Sequence, residues 1–87
     1  MIDSVQCRAA RALLDWTQAD LSTATGLSKV TLRAFEKGGE MRDSNRTLLR
    51  LAFEKAGVEF IDQNGGGPGA RLRSPVGLDP AADTSQA

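Results

Sequence analysis

The 87-residue sequence contains no histidine and one cysteine, Cys7. Histidine is the commonest general base and metal ligand, and a zinc site needs several cysteine or histidine ligands. One cysteine cannot close a disulfide within the chain, so we expect Cys7 to be an inert small residue. These absences exclude metalloenzyme and Ser-His-Asp chemistry. We therefore predict no enzymatic activity, no bound metal and no cofactor.

Long apolar runs are also missing. No segment reaches the length of a membrane span, and Met1-Ile2-Asp3-Ser4 lacks the basic region and apolar stretch of a signal peptide. Apolar residues make up 40% of the chain, which is enough for one thin core. We expect a soluble, cytoplasmic protein with a single small domain, whose marginal stability a partner subunit would raise.

Charge is unevenly distributed, although eleven Lys and Arg residues balance eleven Asp and Glu residues. Residues 1–57 contain nine basic and seven acidic residues, a net charge of +2, whereas residues 58–87 contain two and four, a net charge of −2. Between residues 28 and 50, six basic residues face three acidic ones. A local basic face can hold phosphates even on a neutral protein.

Helix signals predict two helices in the first 26 residues. The first, at about 5–15, is capped by Asp3 or Ser4, and its apolar residues recur every three or four positions. This spacing predicts a side that faces the core, formed by Val5, Ala9, Ala12, Leu13 and Trp16. The second helix begins with Thr17-Gln18-Ala19-Asp20, which resembles a capping box, and ends at Gly26.

Two more helices are predicted before residue 58. The third, at 29–37, starts at the cap residue Ser28, carries Leu32 and Phe35 on one side, and stops at Gly38-Gly39. The fourth, at 45–56, starts at Ser44 and stops at Gly57. Its apolar residues should close the core: Leu48, Leu49, Leu51, Ala52, Phe53 and Ala56.

After residue 57 the pattern changes from helical to extended. Residues 58–62 are rich in β-branched and aromatic side chains, residues 70–73 alternate, and the glycine-rich segment between them has turn chemistry. We predict a β-hairpin at 58–73 and a disordered tail at 74–87. Because an isolated hairpin is barely stable in water, it should lie on the helices, pair with a second copy, or both. The candidate dimerisation residues are Val58, Phe60, Ile61 and Leu72.

Residues 18–37 fit a helix-turn-helix, in which the second helix lies in the DNA major groove. The segment resembles the phage-repressor-like (Cro/C1, XRE-type) regulators, on the residues Thr17-Gln18-Ala19-Asp20-Leu21, Gly26-Leu27-Ser28, Leu32, Phe35, Glu36 and Gly38. The resemblance covers about residues 5–56 and departs where the family has alanine for Ser22 and an apolar residue for Thr25. It implies a mainly α fold with a compact four-helix repressor-like domain at 1–57, followed by the hairpin and the tail.

Helical geometry identifies candidate base-reading residues. If Leu32 and Phe35 face the core, a spacing of about 100° per residue places Lys29, Arg33 and Lys37 on the opposite side. Arg33 suits a bidentate contact with guanine, and Val30 suits contact with a thymine methyl group.

Other candidate DNA contacts follow from the resemblance or from position. Gln18 resembles the glutamine that anchors a phosphate, although it could instead bridge the two helices of the motif. Ser28 and Thr31 match positions that contact the backbone or base edges. Arg42 and Arg46 follow the third helix and suit phosphate contacts.

The predicted function is sequence-specific transcriptional regulation, with repression favoured, by a homodimer on a roughly palindromic operator in double-stranded DNA. The alternative is a protein-interaction module, antitoxin-like or anti-activator, whose hairpin captures a partner protein by strand addition. Both functions are compatible with one chain.

Overall fold

The computed structural model of the chain describes residues 1–62 and 65–74. Its elements are α1 (Ser4–Leu14), α2 (Gln18–Thr25), α3 (Lys29–Glu36), α4 (Asp43–Lys55), β1 (Val58–Ile61) and β2 (Gly69–Leu72). The predicted mainly α fold with a C-terminal hairpin is confirmed. The predicted disordered tail lies outside the described residues from position 75 onward, and the domain boundaries at 57 and 73 stay predictions. No helix in the described part of the chain is long and apolar enough to cross a membrane.

Side-chain caps fix the starts of the first three helices. Asp3 and Gln6 form a reciprocal capping box at α1, with the Asp3 carboxylate accepting from the Gln6 backbone N–H at 2.8 Å. Thr17 and Asp20 form the predicted box at α2. The predicted Ser44 cap of the fourth helix is wrong, because α4 begins at Asp43 behind Arg42, which makes no side-chain cap bond.

Of the core-facing side predicted for the first helix, Trp16 does pack against the core and Ala9 is half-buried, but Val5, Ala12 and Leu13 are wrong. Val5 is 53% exposed and Leu13 38% exposed, while Gln6, Cys7 and Ala10 are buried. Burial of Gln6 is tolerated because its amide is fully engaged, in the cap at one end and with the hairpin at the other. The apolar stripe that the sequence shows on α1 therefore lies at the surface of the chain.

The core is formed by residues from every helix and from β1, and three aromatic rings link its layers. Phe53 of α4 is fully buried, stacks with Trp16 at 5.8 Å between ring centroids, and meets Phe60 of β1 edge to face at 6.0 Å. Leu49 is buried with Phe53, but Leu48 and Leu51, which the sequence also assigned to the core, are 44% and 56% exposed.

The hairpin lies on the helices, as one of the two predicted arrangements requires. Its strands are antiparallel, with Val58 opposite Leu72 and Ile61 opposite Gly69. The Gln6 amide donates to the carbonyl oxygens of Ile61 and Gly69, at 3.3 and 3.0 Å. One buried side chain of α1 thus holds both strands.

Candidate nucleic-acid interface

The turn between α2 and α3 is held by its own polar groups. Gly26 ends α2 with φ +80°, a conformation that glycine adopts without steric cost, and its N–H donates to the Ser22 backbone carbonyl at 2.8 Å. The Ser22 hydroxyl donates to the Leu27 carbonyl at 2.6 Å. Thr25 donates to the Leu21 carbonyl and accepts from the Leu27 N–H. The two residues that depart from the family pattern therefore fix the turn by hydrogen bonds.

α3 has one buried side and one exposed side. Ser28 caps it, accepting from the Thr31 N–H at 3.1 Å and donating to the Thr31 hydroxyl at 2.9 Å. Leu32 and Phe35 are buried, as helical spacing predicts. The candidate base-reading side chains of Lys29, Val30 and Arg33 are exposed, and Val30 is the most exposed of the large apolar residues in the described part of the chain, at 75%.

Glu36, at the end of α3, is a buried carboxylate that several side chains contact. Arg11 of α1 binds it in a bidentate pair, with Nε and Nη2 at 2.7 and 2.8 Å from the two carboxylate oxygens. Gln18 Nε2 donates to Oε1 at 3.0 Å, and the Cys7 thiol donates to Oε2 at 3.3 Å. Arg8 donates to the Glu36 backbone carbonyl. This cluster ties α3 to α1 and to the start of α2.

The cluster shifts the titration of its members. Burial alone would raise the pKa of Glu36, but the hydrogen bonds from Arg11, Gln18 and Cys7 outweigh burial and hold that pKa below its usual range. Burial, reinforced by the neighbouring Glu36 carboxylate, raises the pKa of the Cys7 thiol well above its usual range. Cys7 is therefore a neutral hydrogen-bond donor at neutral pH, with no thiolate character.

Gln18 has two predicted roles, a phosphate contact and a bridge between the two helices of the motif, and its position is compatible with both. It is the first residue of α2 and half-buried, and one amide N–H is engaged with Glu36. A primary amide carries a second N–H. That second donor suits a phosphate oxygen lying against the start of α2.

The remaining basic candidates differ in exposure and in the hydrogen bonds that they make within the chain. Lys37 and Arg42 are exposed, Lys37 at the end of α3 and Arg42 at the start of α4. Arg46 is half-buried, and its Nε and Nη2 donate to the Ile2 carbonyl at 2.9 and 2.6 Å. Its guanidinium also lies 6.0 Å from the centroid of the Phe35 ring. Arg46 therefore holds the start of the chain, at Ile2, against α4.

The four candidate dimerisation residues lie on the hairpin with different exposure. Val58 is fully buried, Phe60 and Leu72 are half-buried against the core, and Ile61 is 40% exposed. Three of the four therefore pack within the chain, and the dimerisation role of all four stays a prediction.

Arg11, Arg8 and the structural role of Glu36 were missed in the sequence. A signal for Glu36 exists, because it lies four residues after Leu32 and next to Phe35, which places a charge on the buried side of α3. A buried carboxylate needs a partner, but the sequence does not show which of the basic residues supplies it.

Fold and site together define a small helix-turn-helix domain with an exposed, partly basic second helix. In agreement, the sequence model of the Helix-turn-helix family matches residues 8–52, and the chain belongs to this family. The predicted Cro/C1, XRE-type membership is thereby confirmed, and with it a DNA-binding transcription regulator. No curated protein matches the chain.

Proposed function

We propose that the protein represses transcription by binding, as a homodimer, a roughly palindromic operator with one copy of α3 in each of two successive major grooves. The observation that carries this proposal is the position of Lys29, Val30 and Arg33 on the exposed side of a helix whose other side is buried and tied down through Glu36. A helix fixed in this way keeps its outer side chains in register with base edges, which sequence-specific readout requires.

Each candidate has a proposed role. Arg33 makes a bidentate contact with guanine O6 and N7, Lys29 reads a neighbouring base edge, and Val30 contacts a thymine methyl group. The remaining candidates bind the sugar-phosphate backbone or base edges near it: Gln18, Ser28, Thr31, Lys37, Arg42 and Arg46.

A twofold dimer sets the spacing of the operator. The two copies of α3 would lie about 34 Å apart, one turn of B-form DNA, so the half-sites should be centred about 10 base pairs apart. Repression follows most simply from occupancy, since a small protein seated over a promoter excludes polymerase. The proposal places the protein in the cytoplasm, with its DNA.

The proposal is tested by selecting duplexes from a random pool with the purified chain and sequencing them. We expect an inverted repeat, and on the selected site Arg33→Ala should cost about 1–3 kcal/mol and relax the preference at one base pair.

Lys29→Ala is the test of a base-reading lysine, and Lys55→Ala, which removes the same charge, is its matched control. Lys55 is exposed at the opposite end of α4 from Arg42, so its removal should leave binding nearly unchanged. A pool that yields no enriched sequence, or equal effects of the two lysine substitutions, would overturn the assignment of α3 as the reading helix.

A further inference from the structure

The surface of α1 carries an apolar stripe that the described part of the chain leaves mostly uncovered. The stripe consists of Val5, Ala9, Ala12 and Leu13, of which Ala9 is half-buried and the other three are exposed. At about 100° per residue these four side chains lie within an arc of about 100°. An arc of this width is what a helix normally buries against a neighbour.

The stripe lies next to β2 of the hairpin. Gln6 reaches the carbonyl oxygens of Ile61 and Gly69, so the hairpin lies over the Gln6 side of α1. Cys7 and Ala10 flank Gln6 on the core side, and the stripe flanks it on the other. Since β1 packs on α4 and β2 on α1, β2 is the strand next to the stripe.

β2 also has backbone groups directed away from its partner strand. The Arg73 N–H donates to the Gly57 carbonyl at 2.9 Å. Together with the register, this makes residues 69 and 71 the hydrogen-bonded partners of β1 and leaves the N–H and C=O groups of Ala70 and Leu72 pointing outward. The corresponding edge of β1 is covered at Val58, which is fully buried.

We propose that a second copy of the chain covers this stripe and extends the sheet, with β2 of each copy antiparallel about a twofold axis through Arg71. In this register Ala70 lies opposite Leu72 of the second copy, so the outward backbone groups of both residues are paired, and the two α1 stripes meet beneath the sheet. The inference rests on the homodimer of the proposed function and specifies its surface.

Charge favours a second copy as the occupant. An isologous interface brings each residue close to its own twin, so identical charges would face each other. The four stripe residues carry no charge. Arg8, at the edge of the stripe one turn from Val5 and Ala12, is directed to the Glu36 backbone carbonyl, and Arg71 is ion-paired with Glu59 within its own hairpin, at 2.8 Å. The exposed pair Leu48 and Leu51 on α4 is less suitable, because Lys55 lies one turn beyond Leu51 on the same side.

The size of the patch predicts a weak dimer. The eleven residues of α1 give it a length of about 16 Å, and one helix and one strand give it a width of about 15 Å. This is smaller than the roughly 800 Å² per partner of a standard stable interface. Free dimers should therefore depend on protein concentration, and adjacent half-sites on DNA should favour them.

Cysteine trapping in the full chain tests the register. In a non-hydrogen-bonded antiparallel pair the Cα atoms are about 4.5 Å apart, within the range that a disulfide spans. Arg71→Cys should therefore form a covalent dimer on mild oxidation. Glu59→Cys is the matched control, because it lies on the same sheet face but one strand further from the axis, and it should cross-link at least about tenfold more slowly. The native Cys7 is fully buried and does not compete.

The stripe is tested by equilibrium sedimentation of Val5→Glu against Leu51→Glu. These positions are similarly exposed, at 53% and 56%, so both variants should fold. Val5→Glu should raise the dimer dissociation constant at least about tenfold, since it brings two carboxylates into an apolar contact, and Leu51→Glu should leave the constant unchanged.

The outcomes separate this surface from the proposed function. Equal cross-linking of the two cysteine variants, preferential cross-linking of Glu59→Cys, or an unchanged dimer constant in Val5→Glu would overturn the surface, even if an inverted repeat is selected. A chain that stays monomeric and does not cross-link would also overturn it. Rapid cross-linking of Arg71→Cys by a protein that enriches no DNA would support the surface and refute the proposed function.

Discussion

At the scale of single residues, Glu36 is a charged residue on the buried side of α3, and its contacts hold α3 against the two helices that precede it. Its carboxylate is 4% exposed and every contact it accepts comes from another element: Arg11 and Cys7 of α1 and Gln18 of α2. An isolated buried carboxylate is costly, whereas one with a bidentate guanidinium and two further donors is satisfied. The same bonds determine how α3 sits against its neighbours.

Removal of Arg11 should therefore be costly. Arg11→Ala leaves the Glu36 carboxylate buried without its ion pair, and we expect the free energy of unfolding to fall by about 3 kcal/mol, at the low end for buried pairs because the Arg11 side chain is 22% exposed. Urea unfolding followed by the fluorescence of Trp16 measures it. Arg50→Ala is the control, because its pair with Glu54 is exposed and should contribute less than about 0.5 kcal/mol. Equal losses in both variants would contradict the argument.

Arg46 and Arg42 separate anchoring from phosphate binding. Arg46 donates twice to the Ile2 carbonyl, so Arg46→Ala should lower the free energy of unfolding by about 1.5–3 kcal/mol. If its guanidinium also binds a phosphate, the slope of log affinity against log salt should fall by about 1, as we expect for the exposed Arg42→Ala. If the slope of log affinity against log salt is unchanged from the wild type in Arg46→Ala but reduced in Arg42→Ala, Arg46 does not contact DNA.

At the scale of elements, the sequence predicts where most elements lie but not which side of each is buried. Caps such as Thr17-Asp20 and Ser28 are local hydrogen bonds between neighbouring residues, so their signals are readable and the α2 and α3 starts are correct. The buried side of α1 depends instead on Gln6 meeting residues 55 and 63 positions away. No local pattern encodes that contact, so the more apolar side of α1 is not the side that is buried.

The candidate site divides in the same way. The exposure of Arg33 follows from the spacing of Leu32 and Phe35, which is local information. Lys29 lies three residues before Leu32, only about 60° from it around the helix, so that spacing does not decide its exposure. The Arg11–Glu36 pair joins residues 25 positions apart, and Arg46 with Ile2 joins residues 44 apart. Such pairs are decided by the packing of whole helices, so the sequence alone does not identify Arg11 as the partner of Glu36 or Ile2 as the partner of Arg46.

Docking of the hairpin should depend on the Gln6 amide. Gln6→Glu keeps an acceptor for the capping box but replaces the N–H donor by a carboxylate facing the carbonyls of Ile61 and Gly69. We expect a loss of about 1–3 kcal/mol and faster hydrogen exchange in β1 and β2, with α2 and α3 little changed. Asp3→Ala is the control, since it removes the cap alone for about 1 kcal/mol. Hairpin exchange that stays slow in Gln6→Glu would refute the role of the amide.

At the scale of the whole molecule, α1 is the element that joins α3 to the hairpin. One side of it holds the end of α3 through Arg11, a second holds the hairpin through Gln6, and a third carries the exposed apolar stripe. A neutral net charge is compatible with DNA binding here, because the exposed cations of α3 and of the start of α4 lie away from the acidic residues of the hairpin along the chain.

Acid should destabilise the whole molecule through Glu36. The pKa of this carboxyl is lowered in the folded protein, so the folded state binds protons less readily than the unfolded chain, in which the pKa is close to the usual 4.5. The stabilisation is therefore complete well above pH 4.5 and is lost as the pH falls from that value toward the lower, folded pKa.

Glu36→Gln removes this titration. In urea unfolding between pH 7 and pH 3, the difference in stability between the wild type and Glu36→Gln should stay constant above about pH 5.5 and shrink below pH 4.5. Glu59→Gln, which alters an exposed pair, should follow the wild type throughout. If Glu36→Gln instead loses stability in parallel with the wild type, other carboxylates control acid unfolding, and the Glu36 cluster does not hold the folded state together in the way its geometry indicates.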